Sequence, residues 1–172
     1  MYSQIVPNLY LGNVRSRNFD SSPPDCHTCV SVGVYDMKRP SWAENYVFYQ
    51  LVDRATVPES QMQYIIEDSA DFIEAHISKG VLVHCGVGVS RSAFVVIGYL
   101  MLKRQMSFER AYEHTLARRP CICPNEGFCQ YLRKLDGDLA TRRREQIRTQ
   151  LEQVEASLEG AKSLALSSTT CM

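Results

Sequence analysis

The sequence predicts an α/β fold with an extra helix at the C-terminal end. Short runs rich in β-branched residues occupy the first half of the chain, and an amphipathic helical pattern lies between two of them. From about residue 90 onward, the apolar spacing is helical throughout. With 172 residues and 45% hydrophobic content, the chain can bury one ordinary core. We therefore expect one domain and an appendage.

Five β-strands are predicted. The first two flank a Pro7-Asn8 turn signal, and the next two are rich in β-branched and aromatic residues, which is typical of buried strands. The last is apolar up to its histidine and too short for a helix, so we expect a central, buried strand. The predicted segments are Tyr2–Val6, Leu9–Asn13, Thr28–Tyr35, Tyr46–Val52 and Val81–His84.

Helices are predicted between and after these strands. Apolar residues from Met62 to Ile77 recur at three- and four-residue steps, which indicates an amphipathic helix that starts after Pro58 and ends at Lys79-Gly80. A second helix is expected over about 90–103. Ser107 is a candidate cap for a third helix that stops before Pro120, and one more helix follows residue 128.

Charge and hydropathy exclude several classes of protein. The formal net charge is zero, so nothing predicts a nucleic-acid or membrane-binding surface. The sequence contains no run of 18 apolar residues, no signal-peptide layout, no glycine at position 2 and no prenylation cysteine. We expect a protein with no membrane anchor and no nucleic-acid partner. Its expected location is the cytoplasm, with the nucleus as an open alternative. The Arg142–Arg144 run is short for a nuclear signal.

The segment most informative about chemistry joins the buried strand Val81–His84 to a helix through Cys85, five loop residues and Arg91. Such a loop can curl so that its backbone N–H groups point inward, and the helix adds its positive end. This field favours a thiolate on Cys85, which is the nucleophilic form of cysteine. The planar guanidinium of Arg91 can hold two phosphate oxygens. The expected phosphate-binding residues are Gly86, Val87, Gly88, Val89, Ser90 and Arg91.

The pattern His-Cys-x-x-Gly-x-x-Arg-Ser, from His84 to Ser92, resembles the signature of cysteine-dependent protein phosphatases, and its Ser-Arg-Ser ending resembles the dual-specificity subgroup. Leu9–Gly12, Gly98–Met101 and the segment from Arg119 to Phe128 are also similar to family landmarks. The resemblance implies a central mixed, mostly parallel β-sheet flanked by helices. It also implies a two-step reaction through a phosphocysteine, with no metal and no cofactor.

The resemblance further assigns roles to residues around Cys85. A general acid is needed, and Asp53 is favoured because it follows the strand ending at Val52; Asp68 and Asp71 are rivals on a helix face that we expect to be solvated. Ser92 is expected to hydrogen-bond the sulfur and His84 to support the loop. For Asn125, steadying the phosphate-binding loop and a simple turn or cap role are both open.

The substrate is expected to be a phosphoprotein that carries phosphotyrosine or phosphoserine/threonine. No basic residue lies between Cys85 and Arg91. In the family that the signature resembles, members that act on phosphoinositides or RNA ends tend to have a more basic loop at these positions. Arg54, Arg118 and Arg119 are candidate rim residues or plain surface charges. The alternatives are a phosphoresidue-binding pseudophosphatase, an RNA 5′-phosphatase and a phosphoinositide phosphatase.

The other cysteines leave two questions open. An odd number of cysteines without secretory context predicts free thiols. Cys26-His27-Thr28-Cys29 has metal-like spacing, but zinc needs a second well-spaced pair, so we expect no metal site. One of these thiols can instead protect oxidised Cys85 as a disulfide. The seven cysteines are Cys26, Cys29, Cys85, Cys121, Cys123, Cys129 and Cys171.

The predicted domain organisation is a catalytic domain over 1–137, a helical extension over 138–166 and a disordered tail over 167–172. In the extension, Leu151, Val154 and Leu158 follow at three- and four-residue steps, which indicates a helix. The apolar seam is too short for a confident coiled coil. Docking on its own domain is the simplest interpretation, and homodimerisation or partner contact through the 138–166 helix is the alternative.

Overall fold

Five strands form one sheet in the order β1-β2-β5-β3-β4 within the part of the chain that the computed structural model describes, namely residues 1–18, 20, 22–35 and 38–168. The strands are β1 (Tyr2–Val6), β2 (Leu9–Asn13), β3 (Thr28–Gly33), β4 (Asn45–Gln50) and β5 (Val81–Cys85). β1 is antiparallel to β2, and all other pairs are parallel. The predicted mixed, mostly parallel sheet is therefore confirmed.

The parallel arrangement determines where a site can form. The carboxyl ends of β2, β5, β3 and β4 lie along one edge of the sheet, because the four strands run in the same direction. The register pairs Asn13 with Cys85 and Ser31 with His84. The loops after these strands are thus brought together at the end of the central strand β5, as in other open α/β sheets.

Two strand predictions need correction. β3 is buried throughout, but it ends at Gly33, and Tyr35, predicted to be part of it, is 83% exposed. β4 begins at Asn45 and ends at Gln50, and it is the edge strand, so most of its residues are half-buried. The sequence pattern of β4 is that of a buried strand. Its burial is incomplete because β3 is its single neighbour in the sheet.

Helices α1 (Glu59–His76) and α2 (Arg91–Lys103) pack against each other, and α2 packs against the sheet. α1 stops at His76, earlier than predicted, and a 3₁₀ turn over Ile77–Lys79 leads to Gly80, whose φ of 71° few other residues adopt. In α2, every residue from 92 to 101 is buried. A Cβ at Gly98 would lie 3.0 Å from Ile66 Cγ2, so this glycine permits the close approach of the two helices.

The remaining helices are α3 (Phe108–Arg118) and α4 (Glu126–Ser168). The Ser107 side chain accepts a hydrogen bond from the Arg110 N–H, which confirms the predicted cap of α3. α4 is a single helix, whereas the sequence suggested one helix after residue 128 and another from 138. Contacts divide the chain into a compact unit over Met1–Arg133 and a second unit that starts at Lys134.

The second unit consists of the rest of α4. Ile147, Leu151, Val154 and Leu158 are each more than half exposed. The boundary at 137 and the contact through 138–166 stay predictions. Ser167 and Ser168 belong to α4, whereas 169–172, which include Cys171 and the rest of the predicted tail, lie outside the described residues. Within the described ranges, no helix is long and apolar enough to cross a bilayer.

Candidate active site

Cys85 is the last residue of the central strand β5, and it lies where the carboxyl ends of the parallel strands meet. Its residue surface is 2% exposed. The next five residues form a loop that leads into α2, whose first residue is Arg91. The Val14 N–H donates to the Gly86 carbonyl at 3.2 Å, so the chain after β2 holds the start of this loop. We call residues 86–90 the phosphate loop.

The Cys85 sulfur accepts two hydrogen bonds of 3.2 Å, one from the Gly88 N–H and one from the Ser92 hydroxyl. Burial by itself raises the pKa of the Cys85 thiol. The hydrogen bonds from the Ser92 hydroxyl and from the backbone N–H groups of Ser92, Gly88 and Val89 outweigh burial, and the pKa is lowered. The structure thus favours the nucleophilic thiolate at the predicted position.

Gly88 is the tightest point of the phosphate loop. Its φ is 76°, and a Cβ there would lie 2.7 Å from both the Gly12 carbonyl carbon and Arg119 Nη2. Arg119 Nε donates to the Gly88 carbonyl at 2.7 Å, and the residue is 8% exposed. The interpretation of Arg119 as a rim or surface charge is therefore wrong, because its side chain is buried behind the loop. Arg54 and Arg118 are exposed.

Arg91 begins α2 and turns its guanidinium toward the acid loop, which we define as residues 51–57. Its side chain is 17% exposed, and Nε lies 3.9 Å from Asp53 Oδ2. Nε is buried and makes no hydrogen bond, and it is the one buried side-chain nitrogen or oxygen without a partner among the described residues. A buried donor without a partner is costly and rare, so this atom is suited to a ligand oxygen. Phosphate is a suitable ligand, because two of its oxygens can accept hydrogen bonds from two N–H groups of a guanidinium.

Asp53 lies in the acid loop, directly across from the phosphate loop. Its Oδ1 accepts hydrogen bonds from the Ser90 hydroxyl at 2.7 Å and from Asn125 Nδ2 at 2.8 Å. Both donors engage the same oxygen, which leaves Oδ2 on the side of Arg91. The structure thus places the favoured acid beside Arg91.

The rival carboxylates are engaged elsewhere. Asp68 accepts a 2.5 Å hydrogen bond from the Tyr49 hydroxyl, and Asp71 forms an ion pair with Lys103 at 2.5 Å. Both residues lie on the exposed face of α1, as predicted. The pKa of Tyr49 is raised, first by burial and then by its bond to Asp68. These contacts hold α1 to its neighbours.

Asn125 combines the two roles that the sequence left open. Its Oδ1 accepts from the Phe128 N–H at 3.1 Å, which caps α4. Its Nδ2 donates to Asp53, and its backbone N–H donates to the Ser90 hydroxyl at 3.2 Å. A single residue thus ties the start of α4 to both the acid and the phosphate loop.

His84 is buried beneath the loop, where burial lowers its pKa to about 4. Nδ1 lies 3.4 Å from the Cys85 carbonyl, and Nε2 lies 2.7 Å from the Ser31 hydroxyl. A carbonyl oxygen can only accept, so Nδ1 carries the proton and Nε2 accepts from Ser31. His84 is a neutral link between the β3 strand and the nucleophile, which fits the expected supporting role.

Cys26 and Cys29, from the metal-like pattern, are buried thiols. Burial raises their pKa values to about 11 and about 12, respectively. Cys26 donates to the Thr28 carbonyl, and Cys29 lies 3.8 Å from the Ser31 hydroxyl. Over the described ranges, all six cysteines are free and no cluster of histidine, cysteine and acidic residues is arranged for a metal. The disulfide partner of Cys85 stays an open prediction.

The comparison with known families decides the classification. The model of the family described as "Dual specificity phosphatase, catalytic domain" matches residues 30–137, which include Asp53, Cys85 and Arg91. The chain belongs to this family. The enzyme class predicted from the signature, a dual-specificity phosphatase, is therefore confirmed for the catalytic domain.

Individual relatives agree with this classification. The chain is 32% identical over 136 residues to "Dual specificity protein phosphatase 1" of Arabidopsis thaliana, covering 78% of this chain and 68% of that protein. It is 33% identical over 142 residues to "MAP kinase phosphatase with leucine-rich repeats protein 3" of Dictyostelium discoideum, covering 80% of this chain but 16% of that protein. The crystal structure of human DUSP28 superposes with a TM-score of 0.71 at 26% identity, covering 81% and 95% of the two chains.

Three residues of this dual-specificity phosphatase site were not predicted as such. Gly12 and Arg119 enclose Gly88, and Gly127 lies against the acid loop at Ala55. All three fall within segments that resemble the family, but nothing in the residue types indicates which distant backbone they meet. A glycine at the end of a strand and another at the start of a helix are the only signals that the sequence offers.

Proposed function

We propose that the chain hydrolyses phosphotyrosine and phosphoserine/phosphothreonine on proteins through a phosphocysteine on Cys85, with Arg91 binding the phosphate and Asp53 acting as general acid. The observation that carries the proposal is Arg91 Nε, which is buried without a hydrogen-bond partner next to the acid. A phosphate oxygen supplies the missing acceptor. The loop N–H groups and the start of α2 add to this anion site.

In the first step, the Cys85 thiolate forms the S–P bond while the bond from phosphorus to the leaving oxygen breaks. The proton on Asp53 moves to the leaving oxygen, which departs as an alcohol or phenol. Arg91 stabilises charge on the transferring phosphoryl group. The Ser90 and Asn125 hydrogen bonds hold Oδ1 of Asp53, so that Oδ2 delivers the proton.

In the second step, water attacks the phosphocysteine. Asp53, now a carboxylate, takes a proton from the water as the O–P bond forms and the S–P bond breaks. The sulfur leaves as a thiolate, which the Ser92 hydroxyl stabilises through the 3.2 Å hydrogen bond. Inorganic phosphate is released and the enzyme returns to its starting protonation state.

An open site supports the proposed breadth of substrates. Val87 of the phosphate loop is 68% exposed, and the Asp53 side chain is 38% exposed. The rim of the site is therefore open to solvent although Cys85 is 2% exposed, and this open rim supports access by phosphoserine and phosphothreonine as well as by phosphotyrosine. The absence of lysine, arginine and histidine from residues 86–90 favours a phosphoprotein over a phosphoinositide or RNA end.

The proposal is tested by hydrolysis of p-nitrophenyl phosphate in the presence of EDTA. Cys85→Ser is expected to abolish turnover. Arg91→Lys, which keeps the charge but loses the planar fork, is expected to lower kcat/KM by at least about 100-fold, in line with the loss of a bidentate contact to transferring charge. Wild-type inactivity with retained vanadate binding would instead indicate a phosphate-binding pseudophosphatase.

A phosphopeptide panel then tests the substrate class. Each peptide is made in phosphotyrosine, phosphothreonine and phosphoserine forms, with a phosphoinositide and an RNA 5′-triphosphate as controls. The peptides are expected to be hydrolysed and the two controls spared. A higher kcat/KM for either control would refute the assignment of a phosphoprotein substrate.

We also propose a cytoplasmic location, with the nucleus left open. The support is chemical, since lowering the pKa of the Cys85 thiol makes it easier to oxidise and a reducing compartment keeps it active. Imaging of the tagged chain tests this, and accumulation in a secretory compartment would contradict it.

A further inference from the structure

Gly127, the second residue of α4, lies against the backbone of the acid loop. A Cβ at this position would lie 2.7 Å from the Cα atom and 2.8 Å from the carbonyl carbon of Ala55, with the Ala55 oxygen closer still. These are backbone atoms, so they cannot rotate aside as a side chain can. Apart from proline, glycine is the residue least favoured in helices. The space that glycine leaves open is the physical reason for its presence here.

The loop that rests on Gly127 also carries the proposed acid, two residues earlier. Asp53 Oδ1 accepts from Asn125 Nδ2 at 2.8 Å, and Asn125 directly precedes α4. The acid loop is therefore held to the start of α4 at two points, through a hydrogen bond at Asp53 and through a close backbone contact at Ala55. The two points lie two residues apart on each segment, so displacement of one strains the other.

We propose that Gly127 is a positioning residue for the general acid, because the missing side chain lets the Ala55 backbone rest on α4 and so sets the place of Asp53. Gly127 acts through Asp53 and not on the substrate. A methyl group at 127 moves the loop outward and draws the Asp53 carboxyl away from the leaving oxygen. Misplacement of a catalytic group by about 1 Å costs on the order of 100-fold in rate.

The inference rests on the proposed role of Asp53, so the experiment tests both separately. The kcat/KM values, which report the first step of the reaction only, are measured for aryl phosphates whose phenols span a wide range of acidity. Acidic phenols leave without a proton, whereas weakly acidic phenols need the general acid. A fault confined to the acid therefore appears as a steeper dependence of kcat/KM on the leaving group, with little change for the best leaving groups.

Three single variants are compared with the wild type. Asp53→Asn is expected to steepen the leaving-group dependence, and Gly127→Ala is expected to steepen it in the same sense, with about 10- to 100-fold loss on phenyl phosphate. Gly137→Ala is the matched control, because this glycine lies in the same helix with nothing within 4 Å of a Cβ. It is expected to keep wild-type kinetics. The double variant Asp53→Asn/Gly127→Ala is expected to be no slower than Asp53→Asn.

Each outcome decides one statement. A wild-type leaving-group dependence in Asp53→Asn would remove the acid assignment of the proposed function. A steep dependence in Asp53→Asn with a normal one in Gly127→Ala would overturn the inference alone. The vanadate inhibition constant reads the phosphate loop independently and is expected to stay within about twofold in Gly127→Ala. A rise of the vanadate inhibition constant that parallels the loss of kcat/KM would indicate general damage to the site and would also overturn the inference.

A second variant covers the case in which Gly127→Ala fails to fold. Ala55 is exposed, so Ala55→Gly loosens the acid loop without placing an atom against α4. If the contact between the Ala55 backbone and Gly127 positions Asp53, Ala55→Gly shows the same leaving-group-dependent loss of activity, but a smaller one. Wild-type behaviour of this variant would overturn the inference.

Discussion

The Ser92 hydroxyl donates a 3.2 Å hydrogen bond to the Cys85 sulfur from the first turn of α2. Both residues are buried, so the bond is protected from competition with water. It favours the thiolate in the resting enzyme and, in the proposed mechanism, the departing thiolate in the second step. The same contact therefore bears on both halves of the reaction.

Removal of this bond is expected to raise the pKa of the Cys85 thiol. In Ser92→Ala, burial of Cys85 is less well compensated, so the pH at which iodoacetamide alkylation of Cys85 rises moves upward. Alkylation is followed by mass spectrometry of the peptide that contains Cys85, because Cys121 and Cys123 are exposed and react too. Cys85→Ser identifies the signal. If the alkylation curve of Ser92→Ala rises at the same pH as that of the wild type, the backbone N–H groups alone determine the ionisation of Cys85.

Substitution of Gly88 is expected to damage the phosphate loop, and substitution of Gly86 is not. A Cβ at Gly88 meets the Gly12 backbone and Arg119 at a φ of 76°, whereas at Gly86 the nearest atom is Arg91 Nη2 at 3.6 Å. Backbone strain of this kind costs about 1–3 kcal/mol. We therefore expect Gly88→Ala to lose about 10- to 100-fold in kcat/KM for p-nitrophenyl phosphate, and Gly86→Ala to stay within about tenfold. Equal losses would contradict the steric argument.

The stability of the protein is expected to depend on His84 in mildly acidic solution. Burial lowers the pKa of His84 from 6.5 to about 4, so the folded state resists protonation while the unfolded state accepts the proton. The neutral form thus contributes its full stability above pH 6.5. This contribution is lost as pH falls from 6.5 to about 4, and it amounts to about 3 kcal/mol at most.

Urea denaturation at several pH values measures this effect. His84→Gln keeps hydrogen-bonding capacity but cannot titrate, so its stability is expected to fall less steeply than that of the wild type between pH 6.5 and 4. His27, which is exposed, supplies the control variant His27→Gln. Parallel curves for the wild type and His84→Gln would contradict the lowered pKa.

Local features of the site could be predicted from the sequence because neighbouring residues determine them. The strand, the glycine-bearing loop and the helix that follows are contiguous, so the positions of Cys85, Arg91 and Ser92 follow from the segment itself. The placement of Asp53 was predictable from the end of a strand, since parallel strands bring their carboxyl ends together. This part of the prediction uses only chain order and strand direction.

Contacts between distant segments could not be predicted in this way. Arginine is usually a surface residue, yet Arg119 is buried, because its side chain donates a hydrogen bond to the Gly88 carbonyl of the phosphate loop. The edge position of β4 depends on the order of the strands in the sheet, and the periodicity of apolar residues does not predict this order. Likewise, glycine has a low helix propensity, but α4 passes through Gly137 without interruption. In each case tertiary packing decides the outcome.

The candidate active site draws on residues spread along most of the chain, from Gly12 in β2 to Gly127 in α4. During synthesis, the nucleophile leaves the ribosome well before the residues that support its loop and its acid. A nascent chain that ends before α4 carries Cys85 and Arg91 but neither Asn125 nor Gly127. We therefore expect the full proposed activity only once the start of α4 has emerged and docked against the acid loop.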